Sequence, residues 1–258
     1  MSTAVLMYHG VGDPAPFGEA HYTFGEEAFD RHLHLLGQGR VVSLDALLEG
    51  RAPPGSVVLT FDDGERSVAQ RALPLMKARN MVGTLFVTTG WIGTKGYVEG
   101  DDLGLLAQEG WTIGTHGVTH RFLSDLGHAD LSQELVQSRD ALTRILGQPP
   151  LHMSLPGGRE DHRVLQQVRE AGYRSLCTST VGVNSSPVPD PFRIRRAMMI
   201  RSFDEAALGR IIDGDRWFYL TLQTRQRALG LAKRAMGNQR YEQLRALAFG
   251  ALQRLRRR

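Results

Sequence analysis

Two carboxylates stand side by side at Asp62-Asp63, after Val57-Val58-Leu59-Thr60-Phe61 and before Gly64. Adjacent like charges repel unless a cation or a proton lies between them. Neighbouring residues at a strand end also point different ways. One carboxylate can therefore hold a metal ion while the other faces a bound water. The competing reading is an Asp-Asp-Gly turn whose carboxylate caps a helix starting near Glu65. A second cluster, His116-Gly-Val-Thr-His120, puts two imidazoles four residues apart, on one face if the segment is helical. With nine histidines in the chain, that pair alone is weak evidence. Joined to the Asp pair, it makes two His and one carboxylate, a divalent-metal site with open positions for water.

These residues need elements that bring them together. The chain alternates short apolar runs with longer helical patterns, which argues for βα units and a parallel sheet or barrel. Strands are expected over residues 4–8, 57–61, 82–87, 111–115, 151–155, 173–178 and 194–200, with a further short one at 41–44. Helices are expected over residues 26–36, 66–79 (kinked by Pro74), 101–108 with Asp101 or Asp102 as cap, 130–146, 161–171 and 203–212 with Ser202 as cap. About seven strands suggest a distorted or incomplete (β/α) barrel, with an open doubly wound sheet as the alternative. Either fold places its ligand site where the C-terminal ends of the strands converge. Asp62 and Asp63, His116, His9 and Pro156-Gly157-Gly158 each follow an expected strand. Trp91 and Tyr97 lie in a loop on the same side and could stack on a sugar ring. His152 is the nearest of the other histidines and reads as a packing residue.

Bulk properties narrow the class. The single cysteine, Cys177, excludes an internal disulfide framework and fits a reducing compartment. No basic region followed by an apolar run opens the chain, and no window reaches the roughly 18 apolar residues of a membrane span. A cytoplasmic location is expected. Eleven Lys or Arg follow Asp215, opposed only by Asp215 and Glu242, so the net charge of +4 hides an acidic body and a basic tail. Residues 1–214 are expected to form the barrel and 215–258 a basic amphipathic extension, two helices broken near Gly237-Asn238. Such a tail either covers the barrel or docks peripherally on an anionic membrane surface, the inner face for a cytoplasmic protein. Nucleic acid is not an expected partner, since no binding module is visible and the body is acidic.

Thr60-Phe-Asp-Asp-Gly64 together with His116-x-x-x-His120 resembles the polysaccharide deacetylases, the NodB-homology domains of carbohydrate esterase family 4, over residues 4–200. The resemblance implies a distorted (β/α)7 barrel and removal of N-acetyl groups from an amino-sugar glycan or its precursor. It implies Asp63, His116 and His120 as ligands of a divalent ion, zinc before cobalt, nickel, iron or manganese. It makes Asp62 the general base, and the backbone N–H at Pro156-Gly157 an oxyanion donor, with Gly158 and Arg159 beside the substrate. Three departures stand out. Gly117 occupies a position usually held by Ser or Thr, so a hydrogen bond orienting the metal site is expected to be missing. Ser154 stands where the family has an arginine that orients the base, and Arg159 is the expected substitute. The late Leu-x-x-His motif, which supplies the general acid, is missing after residue 165. Leu6-Met-Tyr-His9 matches it at the other end of the chain, as in a permuted subgroup acting on biofilm exopolysaccharides, which makes His9 the expected acid; otherwise it is a hydrogen-bonded strand-end histidine. The fourth motif has no match. An O-acetyl esterase, a non-sugar C–N amidohydrolase and a non-catalytic glycan-binding module are the competing functions.

Overall fold

Strand β1 (Ala4–Tyr8) is buried along its whole length, as a parallel strand covered on both faces requires. The short strands β2 (Gly10–Val11) and β3 (Thr23–Phe24) pair with each other and pin both ends of the loop between them. Helix α1 (Glu26–Leu36) buries Phe29, Leu33 and Leu36, the stripe that a 3.6-residue period lines up. Next comes α2 (Leu44–Leu48), capped by the Ser43 side chain. It replaces the short strand expected over residues 41–44, where only Val41 makes a bridge, to Val57. Strand β4 (Val57–Phe61) is fully buried and lies beside β1, with Tyr8 opposite Phe61.

A π-helical stretch, Val68–Ala72, leads into α3 (Leu73–Lys77), with Pro74 in its first turn, where a missing N–H costs nothing. Strand β5 (Thr84–Val87) and helix α4 (Gly100–Gln108) follow, the helix opened by a capping box between Glu99 and Asp102. Then come β6 (Thr112–Thr115), α5 (His128–Leu146), β7 (His152–Ser154) and α6 (His162–Glu170), the last capped by Asp161. Strands β8 (Ser175–Cys177) and β9 (Ala197–Met198) precede α7 (Glu205–Ile212). The cap of α7 is Asp204, whose carboxylate accepts the Ala207 N–H, rather than Ser202.

The strand order β8-β7-β6-β5-β4-β1-β9 runs one way round without the central reversal of a doubly wound sheet. The sheet curls, and one short segment touches both its ends. Ile194 bridges to Cys177 on β8, and the Arg196 N–H donates to the Thr180 carbonyl at 3.0 Å. Two residues on, Ala197 and Met198 pair with Leu6 and Met7 of β1. The result is a distorted (β/α)7 barrel.

The computed structural model describes residues 2–236, and the chain divides into two compact units, residues 1–215 and 216–258. In the second unit, α8 (Arg216–Met236) is one continuous helix; the break expected at Gly237-Asn238 and the basic run Arg254–Arg258 lie outside the described residues. Among the described residues, no helix is long and apolar enough to cross a membrane. His152 starts β7, at the opposite end of the sheet from the residues that could do chemistry. Its Nδ1 meets Ser175 Oγ at 2.8 Å and its Nε2 meets Asp45 Oδ1 at 3.1 Å. The Ser175 hydroxyl is fully buried, so this Ser-His-Asp chain ties α2 to the barrel floor and has no nucleophile to offer.

Candidate active site

The chain leaves β4 through Asp62 and then Asp63, which takes a left-handed backbone (φ 74°) followed by Gly64 (φ 85°). That turn sends the two carboxylates to different partners. Asp62 is 2% exposed and Arg196, which immediately precedes β9, is 0% exposed. Arg196 grips Asp62 through two parallel bonds, Nη1 to Oδ1 and Nη2 to Oδ2, both 2.7 Å. Its Nε donates to the Thr178 carbonyl at 2.9 Å and its Nη1 to Thr60 Oγ1 at 3.2 Å. A planar fork fixed at three places holds the carboxylate in one orientation. Burial alone would raise the Asp62 pKa, but the Arg196 charge and hydrogen bonds overcome it and hold the carboxyl below the ordinary range. Asp62 in turn raises the Arg196 pKa against the effect of burial.

Arg159, the substitute expected from sequence, does not reach this carboxylate. Its guanidinium lies 4.3 Å from the Phe122 ring centroid and 3.9 Å from Asp125. It follows a turn in which Gly157 and Gly158 both have positive φ, which directs the chain away from Asp62. A signal for Arg196 was available: a charge inside the apolar stretch 194–200 is rarely buried without a partner.

His116 follows β6. Its Nδ1 donates to the Ser154 carbonyl at 3.1 Å and also meets the Ser154 hydroxyl. That partner fixes the tautomer and turns the Nε2 lone pair towards Asp63. Burial lowers the His116 pKa to about 4, so the ring is neutral at pH 7, the form that binds metals. His116 Nε2 lies 3.4 Å and His120 Nε2 3.2 Å from the same oxygen, Asp63 Oδ1. For His120, burial lowers the pKa but Asp63 outweighs it and raises it. Asp63 Oδ1 is buried and makes no well-formed hydrogen bond. One candidate ligand atom from each of the three residues lies within 4.8 Å of the others. Ligands bound to one zinc-sized ion at about 2.0–2.2 Å stand about 3.3–3.6 Å apart in a tetrahedron. The three residues fit a divalent cation.

The histidines meet without the helix that was the condition for sharing one face. Residues 116–120 are a loop in which Gly117 (φ 76°) and His120 (φ 61°) are both left-handed. Glu134, from α5, accepts the Val118 N–H at 2.6 Å and the Thr119 N–H at 3.1 Å. A Cβ on Gly117 would stand 3.0 Å from Glu134 Oε2 on a left-handed backbone, so this loop disfavours the usual Ser or Thr. Ser154 and Glu134 together supply the support whose loss Gly117 implied. Among the described residues, the non-glycine positions with positive φ are Asp63, Asn80 and His120. Two of them belong to the candidate metal group, where strain of about 1–3 kcal/mol each is maintained by the surrounding structure.

His9 follows β1, half-buried, its ring stacked on Tyr22 at 4.8 Å and 16°. Its buried Nδ1 has no hydrogen-bond partner, and the ring lies near enough to Asp62 and Asp63 to favour their ionised forms. Pro156 is buried, and the Gly158 N–H closes a turn onto the Leu155 carbonyl at 2.9 Å. Gly157 (φ 64°) abuts Phe122, since a Cβ there would stand 2.1 Å from the ring. Gly157→Ala should therefore cost about 2 kcal/mol from overpacking and left-handed strain, read as a lowered midpoint in urea unfolding.

The aromatic residues divide. The Trp91 ring lies 5.1 Å from the His120 ring. Tyr97 is 1% exposed, so it supports its neighbours and cannot itself face a sugar, contrary to the sequence reading. Phe17 meets the Trp91 ring at 5.2 Å, tilted by 40°, and stacks on Tyr97 at 5.8 Å; it was not anticipated. Cys177 is buried, which pushes its thiol pKa up to about 12 and rules it out as a nucleophile.

Known proteins share these features. Residues 49–176, which carry both the Asp pair and the His pair, match the profile of the family described as polysaccharide deacetylase. YxkH of Bacillus subtilis, named as a polysaccharide deacetylase, is 28% identical over 70% of this chain and 66% of its own length. A chitin deacetylase of Pestalotiopsis sp. is 27% identical over 52% of this chain and 45% of its own. The chain thus spans less than two thirds of the length of these relatives. In fold, it resembles the Streptococcus pyogenes deacetylase PplD, with a TM-score of 0.72, 22% identity, and coverage of 83% of this chain and 98% of that one. It also resembles IcaB from Ammonifex degensii, with a TM-score of 0.69, 21% identity, and coverage of 82% and 96%. With the curled seven-stranded barrel and the paired carboxylate and histidine motifs at its strand ends, the chain belongs to the polysaccharide deacetylase family.

Proposed function

We propose that this protein is a metal-dependent hydrolase that removes N-acetyl groups from an amino-sugar glycan or its precursor. The observation that carries the reading is the Arg196–Asp62 grip at 2.7 Å beside the Asp63/His116/His120 group. It pairs a fixed, ionised base with three converging ligands.

An acetamide is a weak electrophile and its amine a poor leaving group, so water must be activated and the amine protonated as it departs. A divalent ion held by Asp63, His116 and His120, zinc being the first choice for two imidazoles and a carboxylate, would lower the pKa of water and polarise the carbonyl. Asp62 would take a proton from the attacking water, using lone pairs that Arg196 leaves unused. The Gly157 N–H donates to the oxygen that becomes negative. His9, protonated, donates to the departing nitrogen, and Tyr22 holds its ring in place. Products are acetate and a free amino sugar. The glycan-binding alternative drew its support from Ser154 and Gly117. Arg196 and Glu134 fill those gaps, which removes the motive for it.

The test is acetate release by the zinc-loaded protein from N-acetylated glycans, with O-acetylated sugars compared alongside. His9→Ala should retain its metal and lose about 10²–10⁴-fold in kcat. Loss of metal from His9→Ala would make the residue a ligand instead of an acid.

A further inference from the structure

We propose that Phe17 and Trp91 form an aromatic subsite for the sugar ring next to the one being deacetylated, so that the enzyme favours oligomers over single sugars. This rests on the deacetylase reading and extends it to a residue outside the motifs.

Phe17 is 63% exposed, in the loop between β2 and β3. A single exposed aromatic is ordinary on a protein surface, but this one is held from beneath and aligned with the site. Pro16 packs onto the neighbouring loop so closely that a Cβ on Gly96 would stand 2.7 Å from its ring. On the other side, the buried Glu65 carboxylate fills the space where side chains on Gly10 and Gly18 would go, 1.9 and 2.4 Å from their Cβ positions. The Gly18 N–H closes the turn onto the Ala15 carbonyl at 2.9 Å. The loop thus approaches its neighbours at three glycines and presents Phe17 from a fixed backbone.

The ring contacts then run on from the candidate metal group. His120 meets Trp91 at 5.1 Å, and Trp91 meets Phe17 at 5.2 Å, with buried Tyr97 beneath Phe17 at 26°. One face of Phe17 is therefore covered by aromatic rings and the other is open. Pyranose rings carry an apolar C–H face and a polar rim, so an exposed aromatic face beside polar chemistry complements them. A sugar reacting beside His120 reaches Trp91, while Phe17, one ring further out, meets the next sugar.

The experiment compares kcat/KM for acetate release from N-acetylglucosamine and from its β-1,4-linked tetramer, using the full-length zinc-loaded enzyme. In Phe17→Ala the tetramer-to-monomer ratio should fall about 5- to 10-fold, through KM, and Phe17→Trp should restore it. Equal losses on both substrates would assign Phe17 to loop packing and overturn the proposal, as would a wild-type ratio near one. If the wild type releases acetate from neither compound, the deacetylase reading fails separately. Calorimetric binding of the tetramer then decides the subsite: weaker binding by Phe17→Ala upholds it, and equal binding overturns it.

Discussion

Arg196→Met should cost about 3–5 kcal/mol of folding stability, the penalty for leaving a buried carboxylate without its counter-charge. Turnover should fall with it, because the base loses the fork that aims it. Arg196→Lys keeps a charge but offers a single point of contact, so it should fall between the two. The sign of the pH dependence should reverse. In the wild type, the Asp62 pKa is depressed, so its contribution to stability is present at neutral pH and is lost as pH falls below the ordinary aspartate value of about 4. Without Arg196, burial raises that pKa, and stability is lost as pH rises through the new value. Urea unfolding at pH 3, pH 5 and pH 8 reads both effects. The double variant Arg196→Met/Asp62→Leu should recover stability but not activity, since it removes the stranded charge and the base together. A single variant that unfolds like the wild type would show that the ion pair carries no such weight.

Asp63→Asn should abolish metal binding and lower acetate release by at least about 10³-fold, because the candidate ion loses its anionic ligand. Asparagine is chosen because it tolerates the left-handed backbone at φ 74°, where alanine would add strain. Metal analysis of the purified variant should find close to none per chain. Asp62→Asn is the companion: it should retain metal and lose about 10²–10⁴-fold in kcat. Metal loss from Asp62→Asn with retention in Asp63→Asn would exchange the two assignments. The adjacent carboxylates would then have opposite roles from those proposed here.

Much of this architecture is written in local patterns. Continuous apolar runs such as Val57–Phe61 can only be buried parallel strands, and both the Asp pair and the His pair fall at strand ends because the periodicity stops there. What stayed hidden depends on distance along the chain. Arg196 and Asp62 are 134 residues apart, and nothing local to either points to the other. Arg159 was the nearer candidate, and the turn at Gly157-Gly158 carries it off towards Phe122. The spacing of His116 and His120 puts both on one face only in a helix, whereas Gly117 and His120 bend the loop and Glu134 fixes the bend from α5. Tyr97 looked like a surface aromatic because its loop is polar, yet Phe17, brought in by the β2–β3 pairing, lies over it. Residues 41–44 open on two β-branched valines like a strand, but the Ser43 side chain caps a helix there and decides the matter.

The strand that closes the barrel is also the strand that delivers the guanidinium. A chain still emerging from the ribosome could gather Asp63, His116 and His120 once Glu134 and Ser154, which support them, are out, before residue 196 exists. Its base would stay misaligned until β9 slots in against β1. On the proposed mechanism, hydrolytic competence waits for the barrel to close, and a half-built molecule could take up an ion without being able to cut.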